Sequence, residues 1–92
     1  MSLYADIVVK IIQGQEAIIG PVAVEQAEQV SSLKVDWPKH EVTISGDETQ
    51  AINQLIEQYK ALFGQISVEV SKQSAGALIS QLPADRLPAA LK

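Results

Sequence analysis

The chain has 92 residues, of which 47% are hydrophobic and 20% are charged, and it contains no cysteine. A chain of this length buries enough surface for one hydrophobic core, so we expect a single domain without disulfides or thiolate chemistry, in a reducing compartment such as the cytoplasm. The net charge of −4 argues against a nucleic acid or an anionic membrane as partner.

The N-terminal segment predicts two helices. Apolar residues recur there at spacings of three and four, at Tyr4, Ile7, Val8, Ile11 and Ile12 and, after Gln15, at Ile18 and Ile19. This spacing predicts a helix over residues 3–19. Asp6 and Lys10 interrupt the apolar character, so we expect neither a signal peptide nor a membrane span. Gly20 and the proline after it end the helix, and a shorter second helix follows over 21–30.

The period changes to two after the second helix. Leu33, Val35 and Trp37 alternate with polar residues, and the alternation resumes at Val42 and Ile44 after a short turn. This pattern predicts a β-hairpin. Trp37 ends the first strand, where its ring can cover the open edge of a small core.

A third helix is predicted from Asp47 to Gly64. Asp47 and Gln50 form a capping-box start, and Gly64 is a helix stop. The residues between them carry an apolar stripe at helical spacing: Ile52, Leu55, Ile56, Tyr59, Leu62 and Phe63. The sequence therefore predicts an amphipathic helix between the hairpin and residue 64.

Residues 65–71 decide the predicted topology. Ile66, Val68 and Val70 alternate strictly with polar residues, which favours a third strand. The alternative, a continuous helix from Ile66 onward, spreads these apolar residues around the helix surface. A strand here makes the third helix a right-handed crossover between parallel strands. A short helix over 73–82 follows, and residues 83–92, with two prolines and little to bury, are predicted to form a tail.

These elements predict an α+β domain over residues 1–82 and a Pro-containing C-terminal tail over 83–92. The domain would have two N-terminal helices, a three-stranded mixed sheet made of a β-hairpin and a βαβ crossover, and a short C-terminal helix. The first and third helices would pack on one face of the sheet. The stretch from Val42 through Gly64 to Val70 resembles small αββαβ modules such as BON domains. The resemblance is one of topology and implies no function and no site residues.

Catalysis and metal binding find little support. His40 is the single histidine, and Glu41 beside it is suited to orient the ring. However, His40 belongs to a predicted exposed turn, and no Ser, Cys or second His stands at motif spacing from it. One histidine and no cysteine leave only carboxylates for a metal. We therefore expect no enzyme, no metal site and no cofactor.

The acidic pairs have plainer roles than catalysis. Glu25 and Glu28 lie on the exposed face of the second helix, and Asp47 and Glu48 stabilise the N-terminus of the third. Two helices followed by a hairpin resemble a winged-helix DNA-binding domain. The second helix, however, carries these glutamates and no Lys or Arg, which disfavours nucleic acid as a partner.

Surplus apolar residues point to protein contacts. Val9 and Val22 lie off the helical stripes, Leu87 and Leu91 belong to the predicted tail, and the sheet is expected to keep open edges along 33–37 and 65–70. The sequence therefore predicts a small non-enzymatic adaptor or regulatory domain that binds a protein partner or a second copy of itself as a homodimer.

A small-molecule-binding or sensor domain is the alternative, with a pocket between helices and sheet lined by aromatic residues. An enzyme is a third possibility that requires a buried polar cavity at Glu41 or His40. The candidate interaction or pocket residues from both leading hypotheses are Trp37, His40, Tyr59, Phe63, Leu87 and Leu91.

Overall fold

The computed structural model describes residues 2–92, which form helices and one two-stranded antiparallel sheet. The helices are α1 (Leu3–Ile19), α2 (Val22–Glu28), α3 (Glu48–Phe63) and α4 (Gln65–Ile79), and the strands are β1 (Leu33–Asp36) and β2 (Glu41–Ile44). Short 3-10 turns lie at Trp37–Lys39, Ala84–Arg86 and Ala89–Leu91. The bounds of α1 and the positions of the hairpin and α3 agree with the sequence prediction.

Most of the large core side chains come from α1 and α3, which bury the stripes that their spacing predicts. The central buried side chains are Ile7, Val8, Ile11 and Ile12 from α1 and Ile52, Leu55, Ile56 and Tyr59 from α3. Burial of such side chains supplies most of the free energy that holds a domain of this size together. The small residues Ala23 and Ala27 let α2 pack against the same core.

Helix ends are fixed by the capping residues. The Ser2 hydroxyl accepts a hydrogen bond from the Ala5 amide at 3.0 Å, which caps α1. Asp47 Oδ1 accepts hydrogen bonds from the Thr49 and Gln50 amides at 2.9 and 3.2 Å, which caps α3. Gly64 ends α3 with φ 79°, a conformation that favours glycine, and α4 begins at the next residue.

The predicted third strand over 65–71 is wrong, because this segment is the first half of α4. The alternating pattern assigned the serines to solvent, but Ser67 and Ser71 are buried together with Val68. These positions and Ala75 follow helical spacing. The apolar residue that the strand pattern placed inside, Ile66, is 69% exposed.

Buried serines fit here because each hydroxyl has a partner. The Ser71 hydroxyl donates to the Ser67 carbonyl at 2.9 Å, and the Ser67 hydroxyl donates to the Gly64 carbonyl at 2.7 Å. From α1, the buried Gln15 Nε2 donates to the Ser67 carbonyl at 2.8 Å and to the Ser71 hydroxyl at 3.1 Å. The polar residues thus form a satisfied contact between α1 and α4.

The predicted topology changes as a result. The sheet has two strands instead of three, with Leu33 opposite Ile44 and Asp36 opposite Glu41, and the α3 segment leads to a helix instead of crossing to a parallel strand. The short C-terminal helix predicted over 73–82 is the second half of α4. The resemblance to αββαβ modules required a strand after α3, so it does not hold.

The C-terminal segment 83–92 packs on the domain. Leu91 and Pro88 are buried, although the sequence indicated little to bury there. The Tyr4 hydroxyl donates to the Arg86 carbonyl at 3.0 Å, and the Ala90 amide donates to Asn53 Oδ1 at 2.9 Å. The segment is therefore held by side chains from both α1 and α3.

Candidate functional site

Two of the predicted site residues, Trp37 and His40, lie together in the turn of the hairpin. Their ring centroids are 4.7 Å apart with the planes tilted by 50°. The indole N–H of Trp37 donates to Glu16 Oε2 at 3.0 Å, which ties the turn to α1. His40 is exposed and has φ 52°, in the left-handed region. Trp37 therefore has a role in positioning the turn, and His40 packs against it.

Tyr59 and Phe63 do not join Trp37 in a common pocket. Tyr59 is fully buried, and its hydroxyl donates to the Ala23 carbonyl at 2.6 Å. Burial, and to a smaller extent the negative charge of Glu16, raises the pKa of this hydroxyl above its ordinary value. Phe63 is half-buried and packs against the core. Two open clefts of the domain, one beside β2 and one beside α3, are lined by none of these three aromatic residues.

Leu87 and Leu91 lie in the C-terminal segment and face the domain. Leu91 is buried, and Leu87 is half-buried against the same core. The structure thus places both leucines in intramolecular packing.

An open cleft of about 450 Å³ lies between parts of α1 and β2, which also contact each other. It is lined by Ser2, Ala5, Asp6 and Val9 from the start of α1, by the four residues of β2, and by His40 and Glu48. Its three carboxylates belong to Asp6, Glu41 and Glu48, and no lining residue is a Lys or an Arg. Across residues 2–92, no cluster of three or more His, Cys, Asp or Glu residues is arranged to hold a metal ion.

The second feature is a group of exposed apolar side chains, which we call the apolar end. It consists of Ile18 (66% exposed), Val22 (38%), Leu62 (53%) and Ile66 (69%). Ile18 and Val22 flank the α1–α2 junction, and Leu62 and Ile66 flank the α3–α4 junction.

Two hydrogen bonds bring these junctions to the same end of the molecule. Gln15 near the end of α1 bonds to Ser67 near the start of α4, and Tyr59 near the end of α3 bonds to Ala23 near the start of α2. The four exposed side chains therefore lie at the end of the domain where α1 leads into α2 and α3 leads into α4.

Sequence reasoning identified only part of the apolar end. Val22 was recognised because it lies off the helical stripe of its segment. Ile18, Leu62 and Ile66 were wrongly assigned to the core: Ile18 to the stripe of the first helix, Leu62 to that of the third helix and Ile66 to the predicted strand. A helical interpretation of 65–79 contains part of the missing signal, since Gly64 then connects two helices and Leu62 and Ile66 lie on either side of that junction.

The helices within residues 2–92 lack the length and apolar character needed to cross a bilayer. Comparison with protein-family models, curated proteins and solved structures gives no match.

Proposed function

We propose that this chain is a small, non-enzymatic protein-interaction domain that associates with a second copy of itself through the apolar end. One observation supports the proposal: the most exposed large apolar residues of the described chain lie at the same end of the domain. They are Ile18, Val22, Leu62 and Ile66. Single exposed apolar residues are common, but several together mark interaction surfaces.

Burial of these side chains favours association. Removing one large apolar side chain from water contributes on the order of 1–2 kcal/mol when it is partly exposed at the start. In a two-fold interface each residue contributes this free energy twice, because the same patch is buried on both copies. The apolar end can therefore drive association without a charged contact at its centre.

The charges around the apolar end favour a second copy as the occupant. Lys60 on α3 and Glu69 on α4 are both exposed and lie within three residues of Leu62 and Ile66 in the sequence. A two-fold interface can pair such opposite charges between the copies, because each copy carries both of them. An anionic membrane, by contrast, is repelled by the net charge of −4.

The test is the absolute mass in solution, measured by light scattering after size-exclusion chromatography. The full chain is expected to have twice its chain mass of 9.9 kDa at micromolar concentration. The double variant Leu62→Lys/Ile66→Lys is expected to be a monomer with an unchanged circular dichroism spectrum, since both replaced side chains are exposed.

The matched control is Gln54→Lys, which adds a positive charge at an exposed position of the same helix, nearer its start. It is expected to keep the dimer mass. A wild-type chain that is monomeric at all concentrations, or a double variant that keeps the dimer mass, would contradict self-association through the apolar end.

A further inference from the structure

The outer edge of β2 has free backbone groups. The Ser45 amide donates to the Ser32 carbonyl at 2.8 Å, and the register places Val35 opposite Val42 and Leu33 opposite Ile44. Hydrogen-bonded pairs alternate with non-bonded pairs in an antiparallel ladder. The N–H and C=O groups of Val42 and Ile44 therefore point away from β1, and in the described part of the chain they take part in no backbone hydrogen bond outside the hairpin.

This edge runs along the cleft between α1 and β2. All four residues of β2 line the cleft, and Ala5 and Val9 provide an apolar wall on the α1 side. An exposed strand edge beside an open groove is the arrangement in which extended peptides add a strand to a sheet. The main-chain groups then supply affinity, while the groove selects the side chains.

The charges of the groove specify the kind of peptide. Asp6, Glu41 and Glu48 line it without any Lys or Arg. Along β2 the half-buried Val42 and Ile44 alternate with the exposed Glu41 and Thr43. A strand added beside β2 thus meets an apolar surface on one face and Glu41 and Thr43 on the other.

We propose that the β2 edge binds an extended segment of another protein in which basic residues alternate with apolar ones. The apolar side chains of this segment would pack against Val9, Val42 and Ile44. Its basic side chains would lie near Glu41 and Asp6. Binding at this edge uses a different surface from the apolar end and does not depend on self-association.

A second copy of this chain is a poor occupant of the same edge. Pairing β2 with β2 of another copy would bring two sets of Asp6, Glu41 and Glu48 together, and like charges across an interface are unfavourable. A partner segment with Lys or Arg removes this repulsion.

The experiment titrates the full chain with a short blocked peptide of alternating lysine and valine. Binding is followed by amide NMR shifts and by the fluorescence of Trp37, the single tryptophan, whose ring contacts the cleft residue His40. Saturable binding with slowed amide exchange at Val42 and Ile44 is expected. A matched peptide N-methylated on the bonds that face β2 should bind about tenfold more weakly, because it loses main-chain hydrogen bonds.

Two variants and a second peptide distinguish charge-dependent binding from nonspecific hydrophobic binding. Glu41→Gln should weaken binding of the lysine–valine peptide about three- to fivefold, whereas Glu57→Gln, at an exposed position of α3 outside the cleft, should leave it unchanged. A glutamate–valine peptide should not bind. The proposal is overturned if the lysine–valine peptide fails to bind, if it shifts amides away from β2 and α1, or if the N-methylated or glutamate peptide binds equally well.

Discussion

Gly14 of α1 packs directly against Ser74 of α4. A Cβ atom built on Gly14 would lie 2.7 Å from the Ser74 Cβ, which is closer than two such atoms can approach. The distance between packed helices is set by the side chains at their contact, and here one helix has only a hydrogen. Glycine therefore has a packing role in the middle of α1.

Gly14→Ala is expected to destabilise the domain. Alanine favours a helix by about 1 kcal/mol over glycine, but overpacking at a rigid contact costs about 1–3 kcal/mol. The Ser74 Cβ cannot rotate away, so we expect the cost of overpacking to exceed the gain in helix propensity. The matched control is Gly76→Ala on α4, where an added Cβ meets open space and stability should rise. Urea denaturation measures both. Equal effects of the two substitutions would contradict the close contact.

Substitutions in residues 65–71 separate the helix from the strand that the alternation predicts. In the helix, Ile66 is exposed and Ser71 is buried, so Ile66→Lys should change the free energy of unfolding by less than about 0.5 kcal/mol. Ser71→Leu should cost about 1–3 kcal/mol through overpacking against Gln15. Denaturant unfolding of both variants at low protein concentration checks this. If the segment were a strand, Ile66→Lys would lower the free energy of unfolding more than Ser71→Leu.

Tyr59→Phe removes the buried hydrogen bond to the Ala23 carbonyl and should cost about 1–2 kcal/mol at neutral pH. Folding raises the pKa of this hydroxyl above its ordinary value of 10.0. Below pH 10 the hydroxyl is neutral in both the folded and the unfolded chain, so its full contribution to the stability of the fold is present. The contribution is lost as pH rises through the folded-state pKa. The difference in unfolding free energy between wild type and Tyr59→Phe should therefore shrink above about pH 10. A difference independent of pH up to 11 contradicts this assignment.

Leu91→Ala should destabilise the domain by about 2 kcal/mol or more, because Leu91 is buried in the core cluster. Its neighbour Lys92 is exposed, and Lys92→Ala should have no effect. A chain ending at Leu82 should lose at least as much stability as Leu91→Ala. Thermal unfolding followed by circular dichroism compares the three. A shortened chain as stable as the full one would show that the segment 83–92 is an unpacked tail.

The sequence predicted the elements whose apolar residues follow a single period. The stripe from Tyr4 to Ile12 and the one from Ile52 to Tyr59 each fill one side of a helix, and the residues between Leu33 and Ile44 alternate. In these segments hydrophobicity and burial coincide, so the pattern was sufficient to locate α1, α3 and the hairpin.

The failure over 65–71 has a specific physical cause. Beside Val68, the buried residues of α4 are the small Ser67, Ser71 and Ala75, and the burial of the two serines depends on the opposite helix and on the hydrogen bonds of Gln15. None of these partners is visible from local periodicity. The same error placed Ile66 inside, so the apolar end could not be assembled from the sequence, and the outer edge of β2 was expected to be covered by a third strand.

The most direct test of the proposed interaction surface is an isotope-filtered NMR experiment on a mixture of methyl-labelled and unlabelled chain. It detects contacts between copies and no others. We predict intermolecular contacts from the methyl groups of Ile18, Val22, Leu62 and Ile66. Intermolecular contacts that involve only the hairpin or the C-terminal segment, or none at concentrations where the mass is that of a dimer, would contradict self-association through the apolar end.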